Sequence, residues 1–522
     1  MKRSELLNKI SRHNYISDII VIGGGASGLG AAVDAASRGF SVILLEQADF
    51  AKATSSRSTK LVHGGVRYLK QGDVQMVVEA LHERGRLRKN APQLVKDMRF
   101  IIGNYRWWEK PFYTVGLTLY DLLAGRLGLG RSLPLRKKTV MKEIPALKQI
   151  GLRGGVVYHD GQFDDARMAI TLAQTAVDHG AVCLNYVKVT KLLKDGQGKL
   201  NGLTAVDQLS GEEYTVKSKV IINATGVFVD DIMKMDMPEA KKKVRPSQGV
   251  HLVVDSKFLG GNSALMIPKT KDGRVLFGVP WHNKVVLGTT DTPLNGATIE
   301  PRALDQEVDF ILDQAGQYLG LKISRKDVLS VFAGLRPLAA PTHDDSKKTK
   351  EISRNHKIYV SKSGLLTITG GKWTTYRKMA EDIVNRAIEM GKLENKPCVT
   401  KELKVHGYKK DVDMGKWDYV YGSDSEKIHS LIKEDSTNSE LLHKDFTFTK
   451  AHVIWAVREE MAQSVEDVLA RRVRMLFLDA RAAIETAPRV ASIMAEELSK
   501  DKKWEENQID KFTQLARNYI LN

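Results

Sequence analysis

The sequence predicts a mixed α/β protein that begins with a strand–turn–helix–strand unit. Three observations support this class: a buried strand pattern at residues 16–22, a glycine-rich turn directly after it, and an acidic residue at the end of the next strand. The 522 residues are enough for about three domains. A hydrophobic fraction of 42% and a charged fraction of 27% exclude a disordered or low-complexity chain.

The glycine-rich turn has the spacing of a nucleotide-binding loop. Gly23, Gly25 and Gly28 form a G-x-G-x-x-G pattern between the apolar strand and an alanine-rich helix predicted over residues 29–38. The glycines permit a tight turn, a close approach of the backbone to a pyrophosphate, and close packing of helix on strand. Because a helix N-terminus also offers free N–H groups to phosphates, the pattern predicts a Rossmann-type domain that binds a dinucleotide.

Glu46 ends the second predicted strand, 18 positions after the third glycine. A carboxylate there accepts hydrogen bonds from a ribose diol and disfavours the 2′-phosphate of NADP. A later strand ends in Ala224-Thr225-Gly226, and Gly370-Gly371 follows another. Both features resemble those of flavoproteins that bind two dinucleotides, so we expect FAD rather than NAD.

Longer motifs follow along the chain. The segment after Glu46 reads Thr54-Ser55-Ser56-Arg57-Ser58-Thr59-Lys60-Leu61-Val62-His63-Gly64-Gly65-Val66-Arg67-Tyr68-Leu69. The further motifs are Asp164-Asp165-Ala166-Arg167, Gly249-Val250-His251-Leu252-Val253-Val254, Gly288-Thr289-Thr290-Asp291-Thr292, Gly334-Leu335-Arg336-Pro337-Leu338 and Gly370-Gly371-Lys372-Trp373-Thr374-Thr375-Tyr376-Arg377. In this order, over about residues 15–390, they resemble the FAD-dependent glycerol-3-phosphate dehydrogenases of the aerobic, membrane-associated kind. The resemblance implies that sn-glycerol 3-phosphate is oxidised to dihydroxyacetone phosphate, with FAD taking the hydride and membrane quinone receiving the electrons.

Such a reaction needs a base for the hydroxyl proton and cations for the phosphate dianion. The resemblance implies that His251, Arg336 and Lys372 are catalytic and also bind substrate, together with Arg67 and Tyr68. We expect His251 to be the base, titrating near neutrality, and the alternative is a histidine that only positions the substrate. Lys372 is expected to serve the flavin as well.

The predicted FAD-binding residues come from the glycine loop, the second strand, the long motif after it and the later glycine pairs. They are Gly23, Gly25, Ser27, Gly28, Glu46, Gln47, Thr54, Ser55, Ser56, Leu61, His63, Gly64, Val189, Ala224, Gly226, Gly371, Lys372 and Thr374. Two positions depart from the family pattern. Val227-Phe228 stands where Pro-Trp is common, which alters the packing behind Gly226, and Trp373 replaces a frequent leucine, so we expect it to narrow the pocket or stack beside it.

The resemblance also implies an interleaved domain order. The FAD-binding domain, of the glutathione-reductase or D-amino-acid-oxidase kind, is predicted over residues 15–100, 155–245 and 335–390; a β-rich substrate domain over 101–154 and 246–334; a linker over 391–410; and a mainly helical C-terminal domain over 411–522. Within the last domain, Ser464 and Asp467 resemble a capping box at the start of a helix.

A net charge of +18 favours anionic partners. The lysine clusters lack interleaved aromatic residues, so we expect no nucleic acid partner. We instead expect peripheral attachment to the anionic inner face of the cell membrane, from the cytoplasm. The apolar segment 112–130, between Trp107-Trp108 and Arg136-Lys137-Lys138, favours a partly buried helix, with a membrane-interface position as the alternative. Neither a membrane-spanning helix nor a secretory signal is expected.

Two cysteines, Cys183 and Cys398, are too few for a disulfide framework or a four-thiolate metal site, so we expect reduced thiols and no metal. The alternative function is a glycerol-3-phosphate oxidase that reduces oxygen to hydrogen peroxide. Such oxidases tend to carry an insertion in mid-chain, for which this length leaves little room. An idle FAD-bound scaffold and an RNA-binding flavoprotein are disfavoured, and a homodimer is left open.

Overall fold

The protein is described by a computed structural model that covers residues 1–11, 16–66, 69, 72–270, 273–340 and 356–521. The strands are β1 (Ile16–Ile22), β2 (Val42–Leu45), β3 (Leu61–Val62), β4 (Val95–Asn104), β5 (Leu133–Arg136), β6 (Gly154–Phe163), β7 (Val182–Leu184), β8 (Val187–Lys194), β9 (Leu200–Asp207), β10 (Glu213–Asn223), β11 (Val244–Asp255), β12 (Ala264–Ile267), β13 (Leu276–Trp281), β14 (Lys284–Gly288), β15 (Thr292–Pro293), β16 (Val328–Ala339), β17 (Lys357–Val360) and β18 (Leu366–Thr369). The helices are α1 (Arg3–Ile10), α2 (Ala26–Ser37), α3 (Val74–Asn90), α4 (Glu109–Ala124), α5 (Lys137–Glu143), α6 (Asp165–Asp178), α7 (Val229–Asp236), α8 (Asp305–Tyr318), α9 (Tyr376–Gly391), α10 (Ser425–Glu434), α11 (Lys450–Glu460), α12 (Met475–Leu478), α13 (Ala480–Glu497) and α14 (Lys502–Arg517).

The first sheet is the Rossmann-type sheet that the sequence predicts. Its strand order is β17-β18-β10-β1-β2-β7, and β9 pairs with β10 and β8 with β9. β1 lies parallel to both β2 and β10. Ile19, Ile20 and Val21 are fully buried, because helices cover the sheet and a strand buried on both faces needs a continuous apolar run.

The elements next to the site follow the predicted order. α2 begins at Ala26 rather than Leu29, with Gly25 as its N-cap in an extended conformation. The predicted helix from Thr374 instead starts with a 3₁₀ turn, Trp373–Thr375, and continues as α9. Helix boundaries of this kind depend on cap geometry, which the hydrophobic pattern does not resolve.

The second sheet contains the functional strands β11 and β16. Its order is β15-β11-β14-β13-β12-β4-β6-β3, with β16 paired to β11 and β5 paired to β6. The antiparallel register of β11 and β16 pairs Ser247 with Arg336, Gly249 with Gly334, and His251 with Phe332. Because paired residues share a face and alternate residues return to it, this register places Arg336 and His251 on one face of the sheet.

The predicted domain limits cut across this second sheet. β3 and β6, within or overlapping the predicted FAD-binding segments 15–100 and 155–245, pair with each other, and β6 also pairs with β4 in the sheet of the substrate domain. These antiparallel pairings join residues that are distant in the chain, so a reading of local pattern does not detect them.

The C-terminal region is mainly helical, as predicted. Residues 392–410, all of which the structure describes, contain neither helix nor strand. The predicted capping box is confirmed: the Asp467 backbone N–H donates to Ser464 Oγ at 3.2 Å, and the Ser464 N–H donates to Asp467 Oδ2 at 3.0 Å. A single π-helical turn, Asp467–Arg472, follows it. No helix within the described ranges is both long and apolar enough to cross a bilayer.

Candidate active site

One cavity of about 610 Å³ lies where the carboxyl ends of β1 and β2 and the amino end of α2 meet β11 and β16. It brings together most of the residues predicted from the sequence. The predicted residues in its lining are Gly23, Gly25, Ser27, Glu46, Gln47, Thr54, Ser55, Leu61, His63, Val189, Ala224, Gly226, His251, Arg336, Gly371, Lys372 and Thr374. Of the predicted residues that the structure describes, Gly28, Ser56 and Gly64 lie outside the lining. Arg67 and Tyr68 lie outside the described residues.

The glycine loop is packed so closely that it leaves no space for side chains at two positions. Gly23 has φ +109°, and a Cβ there would lie 2.8 Å from the Ala224 carbonyl oxygen. A Cβ on Gly28 would overlap with the Gly23 carbonyl oxygen, so Gly28 allows close packing without facing the cavity. The backbone thus reaches the cavity wall at the N-terminus of α2, where a pyrophosphate would meet N–H groups.

Glu46 holds the glycine loop and reaches the cavity at the same time. Its Oε2 accepts a hydrogen bond from the Gly24 N–H at 2.6 Å, and its Oε1 accepts one from the Ala48 N–H at 2.9 Å. Burial raises the pKa of this carboxyl, while the two backbone N–H groups oppose the rise. A carboxyl group at this point of the wall is placed to accept hydrogen bonds from a ribose diol.

The segment 54–64 is fixed by side chains from distant elements. The Thr54 hydroxyl donates to the Leu335 carbonyl at 2.6 Å, and the His63 N–H donates to Thr374 Oγ1 at 3.1 Å. The indole Nε1 of Trp373 donates to the Ser55 carbonyl at 2.9 Å. Trp373 lines the cavity, and through this hydrogen bond it also supports the loop that carries the predicted FAD ligands.

His251 lies buried in the cavity wall. Its Nε2 is 2.9 Å from Thr59 Oγ1, and its ring stacks on Phe332 with centroids 4.9 Å apart. Burial, together with the positive charges of Lys60 and Arg336, holds the pKa of His251 well below its usual value. The sequence predicts a histidine that titrates near neutrality, whereas the structure places a histidine that is neutral over the physiological range.

Arg336 is oriented by groups on neighbouring strands and turns. Its Nη2 donates to Thr289 Oγ1 and to the Thr290 carbonyl, both at 3.1 Å. Its Nη1 lies 3.4 Å from Asp291 Oδ1. The guanidinium is therefore held at the cavity wall in a defined orientation, where its positive charge favours an anionic group in the cavity.

Lys372 lines the same cavity from the turn that follows β18 of the first sheet. It follows the left-handed residues Gly370 and Gly371 and is the N-cap of the 3₁₀ turn Trp373–Thr375. His251, Arg336 and Lys372, which come from three separate motifs, thus line one cavity with the glycine loop.

Sequence reasoning did not single out two polar residues of this wall. Thr59 contacts His251, and Arg57 donates to Glu300 Oε2 at 2.6 Å and to the Ala333 carbonyl at 3.2 Å. Both lie in the motif that follows Glu46. Because this motif already resembles the family, its polar residues could have been singled out from the sequence. Across the part of the chain that the structure describes, no group of three or more His, Cys, Asp or Glu side chains is placed to hold a metal ion.

The lining fits FAD. The glycine loop and the N-terminus of α2 match a pyrophosphate, Glu46 matches a ribose, and the backbone around Gly371 and Thr374 lies beside His63 on the side of the substrate residues. The cavity is continuous from the first of these groups to His251 and Arg336.

Comparisons with known proteins agree with this geometry. Residues 18–377 match the family described as FAD dependent oxidoreductase, and residues 366–505 match the C-terminal domain of alpha-glycerophosphate oxidase. The mitochondrial glycerol-3-phosphate dehydrogenase of Schizosaccharomyces pombe is 38% identical, over 96% of this chain and 87% of that protein. The enzyme of the same name from Bos taurus is 39% identical, over 96% of this chain and 73% of that protein.

Solved structures show the same relationship. The glycerol-3-phosphate dehydrogenase from Bacillus halodurans, complexed with FAD, has a TM-score of 0.81 and 29% identity, covering 100% of this chain and 98% of that one. An L-alpha-glycerophosphate oxidase from Mycoplasma pneumoniae shares the fold, with a TM-score of 0.55 and 19% identity over 75% of this chain and 99% of that one. The chain therefore belongs to the FAD-dependent oxidoreductases and, within them, to the glycerol-3-phosphate dehydrogenases.

Proposed function

We propose that this enzyme oxidises sn-glycerol 3-phosphate to dihydroxyacetone phosphate and passes the electrons to a membrane quinone. The observation that carries the proposal is the convergence of His251, Arg336 and Lys372 on the cavity that the dinucleotide loop also lines. FAD, when bound there, supplies the hydride acceptor. The chain itself has to bind the phosphate, orient the secondary alcohol and remove the hydroxyl proton.

The side chains divide these tasks. His251, neutral because of its burial and its cationic neighbours, accepts the hydroxyl proton at Nε2, the atom that contacts Thr59 at the cavity wall. Arg336 and Lys372 bind the phosphate dianion. Arg67 and Tyr68 are expected to join them.

Anaerobic reduction of the purified yellow protein tests the proposal. Glycerol 3-phosphate should bleach the visible flavin band, and a soluble quinone should restore the colour faster than air does. Faster recovery with air would identify an oxidase, which is the alternative function. Absence of bleaching in FAD-loaded protein would overturn the substrate assignment, and Val227, Phe228 and Trp373 would be the first positions to change to the family residues.

We also propose that α4 attaches the enzyme peripherally to the inner face of the cell membrane. One face of this helix packs inward through Leu117, Tyr120 and Ala124. The opposite face is apolar and exposed, with Val115 71% and Leu122 72% accessible. The other exposed apolar side chains at or beside this face are Trp107, Trp108, Phe112 and Leu119. Positions 108, 112, 115, 119 and 122 recur at helical spacing, which forms a continuous apolar stripe.

Exposed cations accompany this stripe. Arg131, Arg136, Lys137 and Lys138 are all exposed in the segment that follows α4. An apolar helix face with aromatic residues and a basic flank is suited to the interface of an anionic bilayer. The inward face of α4 contacts the chain next to the site: Tyr120 donates to Asp160 at 3.0 Å, and Asp160 accepts from the N–H of Gly64 at 3.4 Å. Gly64 directly follows His63, which lines the cavity.

Co-sedimentation with phosphatidylglycerol–phosphatidylcholine vesicles tests this attachment. The double variant Val115→Asp/Leu122→Asp should lose about 100-fold in vesicle affinity, because two apolar side chains that the membrane would bury are replaced by charges. Charge reversal of the four cations should weaken binding to anionic vesicles and leave weak binding to pure phosphatidylcholine unchanged. Leu209→Asp, at an exposed apolar position of the first domain, is the control. Wild-type binding by both test variants would exclude α4 as the membrane-binding element.

A further inference from the structure

Lys60 is a buried cation directly behind the active-site cavity, and it has no part in the roles assigned so far. Its side chain is completely buried and does not line the cavity. Its Nζ donates to Asp165 Oδ2 and to the Ser56 carbonyl, each at 2.7 Å. Arg474 donates to the other oxygen of Asp165 at 2.9 Å. Two cations therefore share one buried carboxylate.

Aromatic rings separate this cation from solvent and connect it to the site. The Lys60 ammonium lies 5.1 Å from the ring centroid of Phe332 and 5.3 Å from those of Trp281 and Phe477. The Phe332 ring is also the one on which His251 stacks, at 4.9 Å. The neighbouring residue, Thr59, contacts His251 Nε2. Two consecutive residues thus act on the imidazole of His251, Thr59 by a hydrogen bond and Lys60 by its charge.

We propose that Lys60 is a positioning residue for His251: its ammonium, held behind the cavity by Asp165, keeps the imidazole neutral and able to accept the substrate proton. The inference rests on the proposed role of His251 as the base. Lys60 itself touches neither the cavity nor the substrate site, so it acts only through His251.

The surrounding charges support this role. Burial lowers the pKa of Lys60 to about 7, although Asp165 opposes the change, so the ammonium is charged at the acidic pH where His251 would take up a proton. Besides Lys60, the charged group acting on His251 is Arg336 from β16. The groups acting on Lys60 are Asp164 and Asp165 of α6 and Arg474 from the C-terminal region. The charge of Lys60 therefore opposes protonation of His251 throughout the acidic range.

The pH dependence of flavin bleaching in the FAD-loaded enzyme tests the inference. The bleaching rate falls below a certain pH, which is the acidic limb of its pH profile. Lys60→Met should move this limb to a higher pH by about one unit, the effect expected for a unit charge roughly 10 Å away. Asp165→Asn withdraws the carboxylate that keeps Lys60 charged, so the pKa of Lys60 should fall further and the limb should again move upward. Lys60→Arg keeps the charge and should leave the limb in place. Because the substrate phosphate titrates identically in every variant, differences between variants report on the protein.

Upward shifts in Lys60→Met and Asp165→Asn, with none in Lys60→Arg, cannot arise from lost packing, which would slow the variants without moving the limb according to charge. An unmoved limb in Lys60→Met would overturn the inference. If that variant does not fold, a limb in Asp165→Asn that stays in place or moves downward would do the same. His251→Asn separates this result from failure of the proposed function: a bleaching rate in His251→Asn equal to that of the wild type contradicts the base assignment, whatever Lys60 does.

Discussion

Glycines shape the active site by making room for the side chains that act there. A Cβ on Gly288 would overlap with the His251 ring, one on Gly249 would overlap with the Arg336 guanidinium, and one on Gly334 would lie 2.9 Å from Arg57 Cβ. The paired positions Gly249 and Gly334 lie between His251 and Arg336 in the sheet register. Small residues at these points let two long side chains share one face of the sheet.

We therefore expect Gly288→Ala to displace His251 and to slow flavin bleaching by about 100-fold, the cost of misplacing a reacting group by roughly 1 Å. Gly278→Ala in β13 is the matched control, because its Cβ would meet its nearest neighbour, Leu287 Cδ2, at an ordinary 3.4 Å. Anaerobic stopped-flow bleaching with saturating substrate measures both. Equal rates in the two variants would show that the position of His251 tolerates the added methyl group.

At the scale of elements, the π-helical turn Asp467–Arg472 fastens the C-terminal region to the loop that enters the site. Arg471 Nε donates to Asp49 Oδ2 at 2.5 Å, and Arg472 donates to both oxygens of Asp49 at 2.6 and 3.0 Å. Burial opposes ionisation of Asp49, but Arg472 and Arg471 outweigh it and hold the pKa of this carboxyl well below its usual range. The loop that carries Thr54 and Ser55 begins a few residues after this anchor.

Asp49→Asn should lower the free energy of unfolding by about 3–5 kcal/mol, because two buried guanidinium groups lose the carboxylate that they share. Urea unfolding at neutral pH measures the change. Glu402→Ala, which removes an exposed ion pair with Lys89 at 3.2 Å, should cost less than about 1 kcal/mol. A similar small cost for Asp49→Asn would mean that the neighbouring carboxylates already neutralise the two arginines.

At the scale of the whole molecule, His406 connects three parts of the chain. It lies in the linker, with Nδ1 2.6 Å from Asp178 at the end of α6 and Nε2 2.8 Å from Asp424 just before α10. Burial lowers the pKa of this imidazole, but the two carboxylates outweigh burial and raise the pKa to about 9. His406 is therefore a cation at neutral pH that holds the linker between the FAD-binding and helical regions.

The stabilisation by His406 should depend on pH with a defined sign. Since the folded-state pKa is raised, the contribution is complete below the ordinary value near 6.5 and is lost as the pH rises through about 9. His406→Asn should therefore lower the Tm at pH 6 and have little effect at pH 10. His179→Asn, at an exposed position beside the end of α6, is the control. A pH-independent drop in Tm would show that His406 contributes by packing alone.

Local sequence patterns were sufficient to predict the part of the site that binds the dinucleotide. Gly23, Gly28 and Glu46 act within a strand–turn–helix–strand unit of about 30 residues, in which each contact is short-range in sequence. The motif resemblance placed His251, Arg336 and Lys372 at one site, and the structure brings all three to the same cavity. The capping box at Ser464 was readable for the same reason, because both partners lie three residues apart.

Other properties arise only when distant segments meet. The pairing of β3 and β6 with the second sheet joins residues about 100 positions apart. The low pKa of His251 depends on Lys60 and Arg336, which come from different elements, and on burial that no single segment produces. The apolar stripe on α4 is visible in the sequence, but which of its faces is exposed is set by the packing of Leu117 and Tyr120 against the rest of the protein. Short-range steric requirements can be identified from consecutive residues, whereas burial and electrostatics depend on every group that the folded chain brings nearby.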